Sequence, residues 1–413
     1  MKVGFITHWY DPEGGAAAGP GTIARALASR GHDVHVVTGF PIYPKGEIFD
    51  GYRLRPYQRE VLRGVTVHRF PIYPSHDTSA ARRLINYASF AASGSVGVPA
   101  VLGSMDVNFV YSTPATAAAG AMVGSWVRRT PFVVQIQDIW PQTVTASGFL
   151  PERRSAQIER VLNIFCDRVY RMAHSVAVTS PGMKRMITAR GVPSDKIHFV
   201  PNWAEETSFR PVPRSSRLAD ELGLDRRLTV MYAGNLGEMQ NLMHVVDAAA
   251  LVRDLDDVQI AFVGAGVLED RLRAAVHDQR LDNVRFVPAQ PFGRMSEILA
   301  LGDVQLVTLK DMPLYRSTLP SKLQANLAAG RPIIGAVRGD AAEVIMDSGA
   351  GVAVPPGDAS ALVSAIRGMH ALPDSERRAM ERSARRHYEE HFSQERVTDA
   401  LESLLVDAAR SGP

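Results

Sequence analysis

The sequence lacks the marks of a secreted or nucleic-acid-binding protein. One cysteine, Cys166, occurs among 413 residues, which excludes a disulfide framework and fits a reducing compartment. The net charge is only +3, and no RNA-binding signature or basic-aromatic interleaving occurs, so nucleic acid is not an expected partner. The N-terminal stretch has no apolar core or cleavage site of an export signal. We therefore expect a cytoplasmic location.

Residues 84–105 contain no charge and follow Arg82 and Arg83. This stretch is rich in alanine, serine and glycine and contains Pro99, so its apolarity is poor for a spanning helix. Two interpretations stay open. The stretch is a buried or partly buried helical region, or it docks on a membrane surface at the inner face of the plasma membrane.

Several motifs of catalysis and cofactor binding are also missing. The chain has no phosphate-binding G-x-x-x-x-G-K-[ST] loop, no G-x-S-x-G elbow and no zinc spacing, and we expect no metal. "DLDD" (254–257) has the D-x-D spacing, but it precedes a strand and so lies at the wrong end of a sheet. "GPGTIA" (19–24) matches a dinucleotide fingerprint but begins well after the first strand, and the second strand ends without an acid.

What the chain does have is an alternation of strand and helix patterns, interrupted once by the Pro-containing stretch 202–216. This predicts an α/β protein of two Rossmann-like, doubly wound domains facing a central cleft. We place the domains at 1–203 and 204–390, with a C-terminal helix of about 391–413 packing back onto the first. One helix of the first domain is expected to bury a single stripe, made of Ile158, Val161, Leu162, Phe165, Val169 and Met172.

Four loops of the second half follow consecutive strands and so meet at one edge of the sheet. Two are rich in glycine, which lets backbone approach a ligand, and one opens a helix and carries Lys322. Amides at a helix start together with one ammonium group match a diphosphate. The loops are "GNLG" (234–237), "VGAG" (263–266), "PAQP" (288–291) and "TLPSKL" (318–323). In the first half, Gly14 and Gly15 precede a helix, and such a pair also lets backbone amides approach a diphosphate. A flexible loop closed by glycine has the same sequence pattern.

With these motifs in this order, the chain resembles the large retaining GT-B glycosyltransferase family, family four-like, that builds bacterial cell-surface glycans from nucleotide sugars. The variants "DIWP" (138–141) and "PSKL" (320–323) are similar to a subgroup that includes N-acetylfucosaminyltransferases of capsule and O-antigen clusters. The stretches that carry the resemblance run nearly end to end and include "FITHWYDPEGGAAAGPGTIARALASRGHDVHVVTG", "VVQIQDIWPQTV", "YAGNLGEMQNL" and "LPSKLQANLAAGRPIIG".

The resemblance implies roles for particular residues. In the first domain, Gly14 and Gly15 would meet the donor's phosphates, and Asp138 would orient the acceptor or relay its proton. In the second domain, two groups of residues would bind the diphosphate of the donor: Asn235 and Gly237, and Ser321, Lys322 and Leu323. Gly264 and Gly266 would contact the nucleoside, and Gln290 would contact the base.

The sequence departs from the family at four places. Relatives carry an arginine and a lysine where this chain has Asn235 and Gln240, and two glutamates where it has Ser317 and Ala325. The second glutamate holds the ribose in relatives, and an alanine methyl cannot accept a hydrogen bond. Gln324 is the candidate replacement.

The expected function is therefore retaining, metal-independent transfer of a hexose from a nucleoside-diphosphate sugar, with UDP as the favoured nucleotide. The acceptor would be a lipid-linked or oligosaccharide glycan, and no cofactor besides the nucleotide sugar is expected. Two alternatives remain. The chain is a non-catalytic partner subunit of another transferase, or it is a sugar-nucleotide epimerase.

Overall fold

A computed structural model describes residues 1–76, 79–142, 152–226 and 228–412. The chain divides into two compact units. Unit 1 contains Met1–Pro201 and Thr398–Pro413, and unit 2 contains Asn202–Val397.

Unit 1 has eight strands within its described residues. They are β1 (Lys2–Ile6), β2 (Asp33–Gly39), β3 (Gln58–Leu62), β4 (Val65–Phe70), β5 (Val107–Ser112), β6 (Phe132–Ile136), β7 (Ser175–Val178) and β8 (Ile197–Phe199). They form one sheet in the order β3-β4-β2-β1-β5-β6-β7-β8. Chain order reverses at β1, which lies between β2 and β5, so the loops after β1 and β5 flank the switch point where ligands bind in such sheets.

Every pairing in this sheet is parallel except that of β3 with β4, which is antiparallel. The sequence predicted only parallel strands, so β3 is a correction. Its residues, "QREVL", alternate between partly buried and exposed positions, and an edge strand of this kind has no continuous apolar run.

The helices of unit 1 cover this sheet and connect its parallel strands. They are α1 (Gly19–Ser29), α2 (Ala80–Val101), α3 (Ala118–Arg128), α4 (Glu152–Met172) and α5 (Pro181–Ala189). The stripe expected on α4 is only partly right, because Val161 is 65% exposed and the neighbouring Ile164 is 61% exposed. The deepest residues of α4 lie toward its C-terminal end, where Cys166 and Val169 are buried.

Unit 2 is a second parallel sheet. Its strands are β9 (Leu228–Ala233), β10 (Val258–Val263), β11 (Val284–Val287), β12 (Val304–Thr308), β13 (Ile333–Ala336) and β14 (Gly351–Val354). Their order is β11-β10-β9-β12-β13-β14, so the switch point lies between β9 and β12. All six residues of β10 are buried, as expected for a strand covered by helices on both faces.

The helices of unit 2 are α6 (Ser216–Leu222), α7 (Met243–Leu251), α8 (Glu269–Asp278), α9 (Met295–Leu299), α10 (Ser321–Ala328), α11 (Asp340–Asp347), α12 (Ala359–Ala371) and α13 (Asp374–His391). The largest apolar cluster of this unit joins β9, β10 and β12 to α7 and α12.

A last helix, α14 (Gln394–Ser411), begins in unit 2 and continues into unit 1. In unit 1, Glu402 accepts a hydrogen bond from the Arg30 guanidinium at 2.7 Å and lies 2.8 Å from the His32 ring. Asp407 lies 3.0 Å from His174. The units divide after Pro201 and after Val397, where boundaries at 203 and 390 were expected.

No helix in the described ranges is long and apolar enough to cross a membrane. The uncharged stretch 84–105 lies mostly in α2, which is partly exposed: Ile85 is 52% and Val96 72% exposed.

Candidate functional site

The loops after β9 and β10 pack directly against each other in unit 2. Gly234 and Gly264 adopt φ values of 140° and 142°, which favour glycine. A Cβ atom on Gly264 would lie 2.0 Å from the Gly234 carbonyl oxygen, and one on Gly266 would lie 2.4 Å from that of Leu236. The sequence assigned Gly264 and Gly266 to a nucleoside. The structure shows that loop packing alone already requires these glycines.

The "GNLG" loop is tight at its second glycine as well. A Cβ atom on Gly237 would lie 2.7 Å from both the Asn235 amide nitrogen and the Gln240 side-chain oxygen. Asn235 is exposed, and its backbone carbonyl accepts a hydrogen bond from the Tyr232 hydroxyl at 2.7 Å. The loop therefore presents the Asn235 side chain at the carboxyl edge of the sheet.

Lys322 reaches this loop from the start of α10. Its ammonium nitrogen lies 4.8 Å from the centre of the buried Tyr232 ring, which is a cation–π contact. A Cβ atom on Gly234 would lie 2.6 Å from the same nitrogen, so the lysine passes close to the glycine backbone. The structure thus brings Lys322, Gly234 and Asn235 together at the switch point of unit 2.

The charge of Lys322 has no acidic partner among the described residues. Burial is the only cause that shifts its pKa, which is lowered from 10.5 to about 8. Lys310, at the end of the neighbouring strand β12, differs because its ammonium group lies 3.4 Å from the Glu238 carboxylate. A partly buried ammonium without a counterion favours binding of an anion.

The start of α10 adds to this preference. The first turn holds no acidic residue, and the N-cap residue is Pro320, which makes no side-chain cap hydrogen bond. Ser321, the first residue of the helix, is exposed. Unpaired amides at a helix start carry partial positive charge and bind phosphates.

Leu323 and Gln324, the next residues of α10, face the interior. Leu323 is fully buried in an apolar cluster, and Ala325 packs against that cluster. Gln324 is 3% exposed, and its amide nitrogen donates to the Asn202 carbonyl at 2.9 Å. Both side chains anchor the helix, so the structure argues against Gln324 as a ribose ligand and against side-chain contact by Leu323.

The loop after β11 folds on itself. The partly buried Gln290 donates from its amide nitrogen to the Pro288 carbonyl at 3.0 Å. A contact with a base remains a prediction for Gln290.

Gln240 is a candidate that the sequence did not single out as a ligand. Its side-chain oxygen is buried and has no hydrogen-bond partner among the described residues. Its backbone carbonyl accepts from the Thr308 hydroxyl at 3.0 Å, which fixes the position of the residue beside β12. The sequence did point to this position, because the resemblance implies a basic residue where this chain has Gln240.

In unit 1, Asp138 follows β6 and lies beside the end of β5. The Thr113 hydroxyl donates to its carboxylate at 3.4 Å, and burial raises the pKa of Asp138 above its usual value. Burial and the Asp138 charge both raise the pKa of Tyr111. The Tyr111 hydroxyl packs against Gly19 at the start of α1, because a Cβ atom on that glycine would lie 2.9 Å from it. Asp138 is therefore part of a cluster near the switch point and the start of α1.

Gly14 and Gly15 belong to the loop after β1. Gly15 has a φ of 63°, and a Cβ atom on either residue would meet no atom within 4 Å. The loop is held by the buried Glu13, whose carboxylate accepts hydrogen bonds from the backbone amides of Tyr10, Ile42 and Tyr43.

Within the described residues, no group of three or more histidine, cysteine, aspartate or glutamate side chains could hold a metal ion. Two of the three acids of "DLDD" have other partners. Asp254 accepts two hydrogen bonds from Arg367, and Asp257 lies 2.8 Å from His370.

Comparison with known families decides the class of the protein. Residues 14–203 match the family described as the Glycosyl transferase 4-like domain, and residues 227–371 match Glycosyl transferases group 1. Both matches are to glycosyltransferase domains, one in each half of the chain, so the chain is a glycosyltransferase. It is thus an enzyme of the transferase class, as the sequence predicted.

Relatives of this glycosyltransferase share both its sequence and its fold. It is 29% identical over 372 residues to WcaI of Escherichia coli K12, a glycosyl transferase named for colanic acid biosynthesis; the match covers 88% of this chain and 91% of WcaI. It is 25% identical over 283 residues to WbjE of Pseudomonas aeruginosa, named as a glycosyltransferase, covering 67% of this chain and 69% of WbjE. The structure of HepE from Anabaena in complex with UDP superposes with a TM-score of 0.73 and 16% identity, covering 98% of this chain and 100% of HepE. The GT-B fold of two Rossmann-like domains is therefore confirmed.

Proposed function

We propose that this glycosyltransferase transfers a hexose from a UDP-sugar to a lipid-linked or oligosaccharide acceptor in the synthesis of a bacterial cell-surface polysaccharide, with retention at the anomeric carbon. The observation that carries the proposal is the partly buried Lys322 ammonium, which has no acidic partner among the described residues and lies against the "GNLG" loop at the switch point of unit 2. The UDP bound by HepE and the colanic acid in the name of WcaI support the nucleotide and the pathway class.

In this reaction the bond between the anomeric carbon and the diphosphate oxygen breaks, and that oxygen keeps the electron pair. Lys322 and the amides that start α10 stabilise the developing charge, which is the main catalytic contribution available without a metal ion. The acceptor hydroxyl oxygen forms the new bond to the anomeric carbon and gives up its proton. Asp138 orients that hydroxyl or relays its proton, and burial raises the pKa of Asp138 above its usual value, which favours its acting as a proton acceptor.

The donor sugar we favour is of the N-acetylfucosamine class. Its support is the sequence of two loops, "DIWP" (138–141) and "PSKL" (320–323), which resemble the subgroup with that activity.

We further propose that the protein works at the inner face of the plasma membrane, where unit 1 docks on anionic lipid. Ile85 and Val96 of α2 and Trp126 of α3 are 52%, 72% and 82% exposed. Arg128 and Arg129, at the C-terminal end of α3, are also exposed. Exposed apolar groups next to basic ones are what an anionic interface attracts.

The test is release of UDP from a panel of UDP-sugars, including UDP-N-acetylfucosamine, in the presence of undecaprenyl-diphosphate-linked acceptors. Lys322→Ala is expected to lower kcat/KM by roughly two orders of magnitude or more, the size of one lost electrostatic donor. Lys310→Ala is the matched control, because Glu238 already neutralises that lysine. The product's anomeric configuration by NMR tests retention, and added EDTA tests metal independence.

An equal turnover of wild-type and Lys322→Ala protein would overturn the role of Lys322. Conversion of the UDP-sugar without acceptor would identify an epimerase. Turnover that appears only after a second transferase is added would identify a partner subunit.

A further inference from the structure

One pentapeptide, "FPIYP", occurs twice in unit 1, at 40–44 and 70–74. The first copy directly follows β2, and the second begins at the last residue of β4. These strands pair in parallel, so both copies lie at the same carboxyl edge. In each copy the isoleucine is buried while the tyrosine is more accessible: Tyr43 is partly buried and Tyr73 is 42% exposed. The repeat therefore places two tyrosines near the loop that follows β1.

An aromatic cluster forms where these loops meet. The Trp9 ring lies 5.9 Å from Tyr43 and 6.4 Å from His76, and Tyr43 lies 4.8 Å from His76, measured between ring centres. The His8 ring lies 5.0 Å from Trp9 at nearly a right angle. Three of these rings, Trp9, Tyr43 and His76, are partly buried, so the cluster reaches the surface.

The hydrogen bonds of Asn86 fix the tautomer of His8. The Asn86 amide nitrogen donates to the Tyr73 carbonyl at 2.6 Å, so its oxygen is the group that faces His8 Nε2 at 2.8 Å. Nε2 must therefore carry the proton, and Nδ1 is left as a bare acceptor. Burial lowers the pKa of His8 to about 4, so the ring is neutral at pH 7. Nδ1 is buried and has no hydrogen-bond partner among the described residues.

Two more polar atoms, one in this cluster and one in the residue that precedes His76, are buried without a partner in the described chain. They are Trp9 Nε1, which can only donate, and Ser75 Oγ, which can donate and accept. Ser75 is 6% exposed and directly precedes His76 in the cluster. Buried polar groups are normally paired, so an acceptor, a donor and a hydroxyl left unpaired in one cluster call for a ligand that supplies the missing partners.

We propose that this cluster binds a neutral pyranose residue, with its C–H face against Trp9 and Tyr43 and its hydroxyls on His8 Nδ1, Trp9 Nε1 and Ser75 Oγ. Each sugar hydroxyl can donate and accept, which matches this set of atoms. Aromatic faces provide the apolar contact that the ring's C–H groups need. Because protein covers the three polar atoms, the sugar shifts a partly buried ring, Tyr43 or His76, to reach them. That this pyranose belongs to the acceptor rests on the proposed function.

Binding of simple glycosides to the full-length protein tests this inference without any donor. The probes are methyl β-D-glucopyranoside, methyl β-D-galactopyranoside and methyl α-L-fucopyranoside, followed by saturation-transfer NMR and by titration of tryptophan fluorescence. We expect at least one probe to bind, and Trp9→Phe and Ser75→Ala each to raise its Kd about fivefold or more, the loss typical of one hydrogen bond. Phe199→Leu is the matched control, since that ring is 40% exposed on β8, at the opposite edge of the same sheet.

Ser75→Ala removes an unpaired buried hydroxyl, so its Tm is expected to stay equal or rise, which separates weak binding from misfolding. Trp9→Phe also removes ring contacts, so circular dichroism at the temperature of the binding assay checks that this variant is folded. Failure of all three probes to bind would overturn the inference, as would equal binding by both variants. UDP titrated into the same samples reports on unit 2 independently. Glycoside binding without UDP binding would support the pyranose site and contradict UDP as the donor nucleotide. UDP binding without glycoside binding would support UDP and contradict the pyranose site.

Discussion

Lys322 carries a positive charge that no described carboxylate neutralises. Partial burial of the ammonium group lowers its pKa to about 8, and the Tyr232 ring provides a cation–π contact. A folded-state pKa below the usual value of 10.5 means that the charged lysine is less stable in the folded protein than in the unfolded chain. A diphosphate bound beside it would offset that cost. Lys322 therefore serves to bind an anion and does not stabilise the folded protein.

The first prediction concerns the pH dependence of UDP binding. The fraction of charged Lys322 is nearly complete at pH 7 and falls as the pH rises through about 8. UDP binding is therefore expected to be roughly tenfold weaker at pH 9 than at pH 7, since only the protonated form binds well. Calorimetric titration at a series of pH values measures this change.

Lys322→Arg serves as the control, because a guanidinium group stays charged over this range, and its affinity should vary little with pH. A wild-type affinity that is also constant from pH 7 to pH 9 would contradict the assignment of Lys322.

Lys322 could be predicted from sequence because its signal is local. A lysine at the first turn of a helix that follows a strand is visible in "TLPSKL" alone. The Tyr232 ring under the ammonium group and the Asn202 carbonyl bound to Gln324 come from distant parts of the chain. Single-sequence patterns carry no information on such contacts, so the hydrogen bond of Gln324 to Asn202 could not be predicted.

The loops of unit 1 depend on one buried carboxylate. Glu13 Oε1 accepts from the amides of Ile42 and Tyr43, each at 2.8 Å, and Oε2 accepts from the amide of Tyr10 at 2.9 Å. These bonds join the loop after β1 to the first "FPIYP" segment, and so position both Trp9 and Tyr43.

The second prediction is that Glu13→Gln destabilises the protein. A glutamine has one acceptor oxygen, so its NH2 group would face a backbone N–H that then has no partner. The expected loss is about 1–3 kcal/mol in the free energy of unfolding, the cost of a buried donor left unpaired. Urea unfolding measures it, with the exposed Glu47→Gln as control. Equal stability of the two variants would show that the loops are held by other contacts.

At the scale of elements, the sequence predicted the two parallel sheets because their strands are continuous apolar runs separated by helices. It missed β3, where arginine and glutamate alternate with apolar residues at a sheet edge. It also placed Val161 of α4 in the core, because helical periodicity shows which residues share a face but not how far along the helix the neighbours extend.

For the whole molecule, the C-terminal helix α14 ties the end of the chain to unit 1. Glu402 contacts both Arg30 and His32 of that unit, as the expected return of the C-terminal helix requires. Unit 1 also carries the exposed apolar and basic residues of α2 and α3, whereas Lys322 belongs to unit 2. The proposed membrane contact thus belongs to unit 1, and the proposed donor site belongs to unit 2.

The third prediction is that anionic vesicles bind the protein through unit 1. In a flotation assay, vesicles rich in phosphatidylglycerol are expected to carry the wild-type protein upward. They should carry much less of the Val96→Asp/Trp126→Glu double variant, because this variant loses apolar contact with the lipid and gains negative charge. Val267→Asp is the control, since that valine is 83% exposed in unit 2. Equal flotation of all three proteins, or of none, would contradict docking by this surface.

The most direct test of the central claim is calorimetric titration of UDP into wild-type, Lys322→Ala and Lys310→Ala proteins at pH 7. Wild-type and Lys310→Ala proteins are expected to bind UDP with similar affinity, and Lys322→Ala is expected to bind it about 10- to 100-fold more weakly, as for a lost charge-assisted hydrogen bond. No UDP binding by the wild-type protein, or equal affinity in Lys322→Ala, would contradict it.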